Sequence, residues 1–169
     1  MAEEKKKVPS LPEGYEVPKV WAEKDMGGAM AAMNKPTAGP RFEKALPVGA
    51  HHLQLYSLGT PNGMKVTMLL EELNDACGLE YDAWKINIMD LQQFGSEFVG
   101  VNPNSKIPAL LDREFDPPLR VFESGSMMKY IAEKAGGRFI PSDLRAKTEC
   151  YNWLFWQMAS APYIGGGFG

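Results

Sequence analysis

The feature that most restricts this chain is a helical stripe closed between two strand-like runs. Val66, Leu69, Leu70 and Leu73, followed by Ala76 and Cys77, recur at the spacing of one helix face, and Gly78 supplies a stop. A strand is predicted before it at about 52–58, and "YDAWKIN" at 81–87 alternates large apolar with polar side chains as a strand would. Together they make a βαβ unit.

The turn that joins the first strand to the helix reads "SLGTPNG", residues 57–63. Thr60 stands at the N-cap and Pro61 at the first helical position, where its missing N–H costs nothing. The free N–H groups of the first turn then face the loop and form an anion site. A thiolate is an anion, and a helix N-terminus lowers a thiol's pKa from roughly 8.5. Yet the turn holds no cysteine, histidine or carboxylate, only the Thr60 hydroxyl and the Asn62 amide as donors. If it stabilises a thiolate, the sulfur arrives with a ligand.

Two later stretches fit the same ligand. Residues 90–101 read as a short irregular helix, Ala109-Leu110-Leu111 as a third strand, "FDPP" at 115–118 as a tight turn and Arg120-Val121-Phe122 as an antiparallel fourth strand. A helix follows from Ser124 through Met127, Met128 and Ile131 to Gly136-Gly137. The order βαβ, connector, ββα predicts an α/β, thioredoxin-like domain at 51–137. In "NPNSKIP", a cis Ile107-Pro108 bond would turn the Ile107 backbone outward to pair with an extended peptide, although only about 5–6% of X–Pro bonds are cis. In "VFESGS", Glu123 ends a strand and Ser124 caps the next helix, a seat for an α-amino group and an α-carboxylate held together. An amino-acid head, a peptide middle and a thiol describe glutathione.

The flanks are plainer. Residues 1–50 carry six of the thirteen prolines and read as an irregular arm, whose Trp21, Met30, Met33 and Phe42 suggest that it lies along the folded body. Residues 138–169 read as a linker and a helix beginning near Ser142, with Tyr151, Leu154, Phe155 and Met158 on one stripe, Trp153 and Trp156 off it, and a halt at Pro162. A helix apolar around most of its girth predicts the start of an all-α domain that is cut short. With a formal net charge of -3 and one basic run, Lys5-Lys6-Lys7, behind two glutamates, a nucleic-acid partner is not expected. No run of about 18 apolar residues or signal-like core is present, so a cytoplasmic protein without a membrane partner is expected, with Cys77 and Cys150 as reduced, buried thiols. His51-His52 lacks a third ligand at metal spacing, so no metal is expected.

"SLGTPNGMKV", "NPNSKIPAL" and "RVFESGSMMKYIAEK" resemble the N-terminal domain of glutathione transferases. "LYSLGTPNG", "VNPNSKIPAL", "NWLFW" and "GGGFG" resemble the nu class, whose members act as glutathione-dependent disulfide-bond reductases. The resemblance implies that Thr60 and Asn62 contact the sulfur. It implies Gln93 and Lys106 at the glycine end, Ile107 and Pro108 at the backbone, and Glu123 with Ser124 at the γ-glutamyl head. Asn34 matches a position that reaches a second glutathione, while a glutamine expected near Met158 is missing. The implied reaction is attack by a bound glutathione thiolate on a small or protein disulfide, with one or two glutathione molecules as co-substrate and a homodimer at full length.

Cys77 ends its helix, where the macrodipole opposes a thiolate, and is not expected to act as nucleophile. Tyr56 is the competing candidate for a catalytic hydroxyl. A non-catalytic glutathione-binding or regulatory protein, inactive for want of a complete helical domain, is the alternative function; a copy too short to fold well is a third.

Overall fold

A computed structural model describes residues 13–16, 19–20, 33 and 38–164, the last five by backbone alone. Four strands, β1 (Leu53–Ser57), β2 (Tyr81–Lys85), β3 (Ala109–Asp112) and β4 (Leu119–Phe122), form one sheet in the order β2-β1-β3-β4. β1 and β2 are parallel, while β3 runs antiparallel to β1 and β4 to β3. This is the thioredoxin-like arrangement expected from the order of elements.

The crossover from β1 to β2 is helix α1 (Pro61–Cys77), whose Val66, Leu70 and Leu73 meet Leu53 and Leu55 of β1 in a buried cluster. Helix α3 (Ser124–Lys134) adds Met127 and Ile131 to the same face. Because strand side chains alternate, Tyr56 points to the opposite face. There it packs with Ile86, Phe98, Val101 and Ala109 under helix α2 (Ser96–Val101). The region expected as an irregular helix resolves into 3-10 turns at Ile88–Asp90 and Gln92–Phe94 followed by α2.

The last part of the arm is tied down mainly by backbone groups. Phe42 bridges Gly95, the Arg41 N–H donates to Phe94 O at 2.9 Å, and the Arg41 guanidinium lies 3.5 Å over the Phe94 ring. Met33 is buried, while the Phe42 side chain is 40% exposed. Trp21, Met30 and Asn34 fall outside the described residues.

Helix α4 (Leu144–Ile164) runs through Pro162 rather than halting there. A proline in the last turn forfeits one backbone bond, and here that does not end the helix. Trp153, Phe155 and Trp156 of α4 are exposed. The cysteines also depart from expectation: Cys77 is exposed and Cys150 half-buried. Cys77 sits at the open end of α1, its thiol 3.1 Å from Leu73 O, past the last residue that α1 buries.

Candidate functional site

The ladder register decides which loops meet. Tyr56 at the end of β1 pairs with Ala109 at the start of β3, and Ala109 with Phe122 at the end of β4. The next residues outward are therefore the 58–60 turn, Ile107-Pro108 and Glu123-Ser124. Three stretches far apart in sequence leave one end of the sheet together.

At the turn, Thr60 has extended backbone angles and its Oγ1 accepts from Gly63 N at 3.3 Å, with Pro61 at the first helical position. An N-cap hydroxyl used as acceptor keeps its own proton free to donate. The close fit is set by Gly63, where a Cβ would stand 2.1 Å from Leu58 O, so only glycine lets α1 start so near the loop. Asn62 is exposed, and its Oδ1 accepts from Lys65 Nζ at 2.8 Å.

The middle stretch carries a cis Ile107-Pro108 bond, with Ile107 half-buried and ahead of the β1–β3 ladder, which opens at Ala109. Asn102 holds the loop by donating from Nδ2 to Lys106 O at 2.7 Å, and the Lys106 side chain is exposed. Gln93 lies 2% exposed in the 3-10 turn before α2, and its Oε1 has no hydrogen-bond partner among the described residues.

At the third stretch, Glu123 has φ 69° and ψ 117°. For a residue with a Cβ this costs about 1–3 kcal/mol, and such strain persists where the surroundings fix it. The sequence pattern puts the cap at Ser124. Glu123 occupies the N-cap position instead, because its left-handed φ breaks the strand one residue earlier, and Ser124 is the first helical residue. Ser124 is 6% exposed and its Oγ lies 3.5 Å from Met158 Sδ.

Side chains absent from the sequence reading join the first stretch to the third. Lys65 Nζ reaches Asn62 Oδ1 and Gln157 Oε1 at 2.8 Å each, and Met158 Sδ at 3.5 Å. Met158 in turn touches Ser124 and crowds Gly125, where a Cβ would stand 2.8 Å from its sulfur. Gln157 thus brings a glutamine side chain to the site one residue before the position where it was expected. Burial pulls the Lys65 ammonium below the ordinary lysine range, and the nearby Glu123 carboxylate partly opposes that. The i, i+3 spacing of Asn62 and Lys65 was a usable signal; the approach of α4 was not.

The Tyr56 alternative fails on geometry. Its side chain is fully buried, its hydroxyl donates to Pro47 O at 2.9 Å, and burial pushes the phenol up to about 12. His51 makes a structural contact, its Nδ1 3.1 Å from Asp82 Oδ1. Among the described residues no group of three histidine, cysteine or acidic side chains could hold a metal ion, and no helix is long and apolar enough to cross a membrane. A trough of about 740 Å³ runs between α1 and β2, bordered by Leu58 and Gly59 of the turn and by Met64, Met68 and Trp84.

The family described as glutathione S-transferase, N-terminal domain, matches residues 51–133. The chain is 60% identical to the disulfide-bond oxidoreductase YghU of Escherichia coli over 92% of its own length and 54% of that protein's. It is also similar to the crystal structure of glutathione transferase YghU from Streptococcus pneumoniae complexed with glutathione, with TM-score 0.85 and 54% identity over 92% of this chain and 60% of that one. A glutathione transferase from Pseudomonas putida, with one glutathione disulfide bound per subunit, matches with TM-score 0.58 and 41% identity over 64% of this chain and 46% of that one. The chain thus spans little more than half the length of the curated protein and of the streptococcal structure. A thioredoxin-like sheet, three loops gathered at one end of it, and these identities identify residues 51–133 as an N-terminal domain of the glutathione S-transferase family.

Proposed function

We propose that this chain is the glutathione-binding part of a glutathione-dependent disulfide-bond reductase, and that the reacting sulfur belongs to the bound peptide. The observation that carries the reading is the convergence of the α1 N-terminus, the Ile107-Pro108 corner and the Glu123-Ser124 corner at one sheet end, with no protein thiol among them. Cys77 sits at the far end of α1 and Cys150 lies in α4.

In this reading Thr60 donates its free hydroxyl proton, and Asn62 its amide hydrogens, to the thiolate. Gln93 and Lys106 hold the glycine end; the orphaned Gln93 Oε1 is an acceptor and suits the glycyl N–H better than the carboxylate. Ile107, beside Pro108, pairs with the peptide backbone. Glu123 takes the γ-glutamyl ammonium, and Ser124 with the α3 N-terminus takes its carboxylate, which requires the flexible Met158 thioether to leave the Ser124 hydroxyl. Asn34 is assigned to a second glutathione. The trough beside α1 takes the apolar part of the disulfide, and the whole protein is proposed to be a homodimer.

The chemistry balances without a protein cysteine. The first thiolate attacks a disulfide to give a mixed disulfide and one free thiolate, which takes up the proton released by the first glutathione. A second glutathione thiolate attacks the mixed disulfide, releasing the second thiolate and glutathione disulfide. Each unit of pKa depression is worth about 1.4 kcal/mol, so two or three donors at a helix N-terminus supply roughly one to two units.

The test is steady-state reduction of a small dialkyl disulfide by glutathione, with calorimetric glutathione binding measured alongside. Replacing Thr60→Ala and Asn62→Ala together lowers turnover roughly 10- to 100-fold, the value of one to two units of thiol pKa, while glutathione still binds. Background turnover by the unaltered chain with intact binding makes it a binding module instead, and loss of both makes it inactive as it stands.

A further inference from the structure

Lys65 is the one charged group at the centre of the site that the helix start and the two corners leave unexplained. It projects from α1 three residues after Asn62 and spends its ammonium hydrogens on the Asn62 carbonyl, the Gln157 carbonyl and the Met158 sulfur. An ammonium only donates, so the atom of each amide that meets it must be the oxygen. That fixes the Asn62 amide with its NH2 end left over for a ligand, which is the end a thiolate needs. All three contacts are neutral. Lys65 makes no ion pair among the described residues; the Glu123 carboxylate at the head of α3 acts on it without a bond. A lysine tied in place by neutral acceptors keeps its whole charge for an anion that enters beside it.

We propose that Lys65 is a positioning residue for the thiolate: it turns the NH2 end of Asn62 toward the sulfur and holds an uncancelled positive charge behind it. This rests on the reductase reading above. It also gives α4 a task, because Gln157 and Met158 hold the far side of the ammonium, so that charge is placed only when α4 is packed against α1 and α3. A purely structural lysine would tie α1 to α4 and leave the ionisation of the ligand untouched.

The two roles separate in a pH titration. The ultraviolet absorbance of the thiolate of bound glutathione, read against ligand-free protein, is followed with pH for the unaltered chain and for Lys65→Met, Lys65→Gln and Lys65→Arg, with kcat and KM for a small disulfide. The expected result is a bound-thiol pKa about one unit higher in the Met and Gln variants, a tenfold loss of thiolate below that pKa. kcat falls about as much, KM changes less than about threefold, and Arg restores at least half of the shift. Neutral variants with lower melting temperature but an unshifted thiol pKa and kcat profile would make Lys65 a strut and overturn the proposal. An unaltered chain that binds no glutathione would overturn the reductase reading first, and this role with it.

Discussion

Thr60, Lys65 and Tyr56 show how far single residues carry the account. Thr60 was legible because an N-cap before a proline is a local pattern, and its bond to Gly63 has the form that pattern predicts. Tyr56 was not, since alternation says which residues share a face but not which face of the sheet an arm and a helix will cover. The structure buries it under α2, with its hydroxyl on Pro47 O. Tyr56→Phe is therefore expected to leave disulfide reduction within twofold of the unaltered chain and to lower stability by about 1 kcal/mol, the worth of one hydrogen bond; turnover and a urea melt on the same preparation check both. Lys65 and Gln157 were overlooked for another reason: they are ninety-odd residues apart, joined only by the packing of α4.

Among the elements, the strand–helix–strand opening and the ββα close were readable because each pairs a periodic run with its own punctuation, Gly78 after α1 and the 115–118 turn between β3 and β4. What the pattern did not give was the fastening of α3 to β3. Asp112, fully buried, accepts from Tyr130 Oη at 2.5 Å and sits 2.7 Å from Lys134 Nζ, both on α3. Burial alone would raise the Asp112 carboxyl, but the bonds from Lys134, Tyr130 and the Glu114 backbone outweigh it and hold the group below the ordinary carboxylate range. A depressed carboxylate stabilises the fold fully above its unfolded value of about 3.9 and loses that contribution as pH falls through the folded value. Asp112→Asn is expected to cost about 2 kcal/mol at pH 7 by removing one of the two carboxylates on Lys134, which keeps its contact with Glu114. Urea midpoints of the two proteins are expected to converge below about pH 4; a gap that stays constant into acid would remove the ion pair from the explanation.

For the whole molecule, the ladder register matters more than any one motif, because it makes three separate sequence stretches neighbours. That neighbourhood is invisible to local pattern, and the glutathione reading of the sequence assumes it. The proposed chemistry uses a ligand's sulfur and none of the protein's. The most direct measurement is glutathione-dependent disulfide reduction by a Cys77→Ser, Cys150→Ser chain, which has no thiol left. The expected kcat and KM lie within about twofold of the unaltered chain, because the exposed Cys77 is at the opposite end of α1 from Thr60 and substituting it disturbs no core. Loss of turnover in a cysteine-free chain that still folds and still binds glutathione would contradict it.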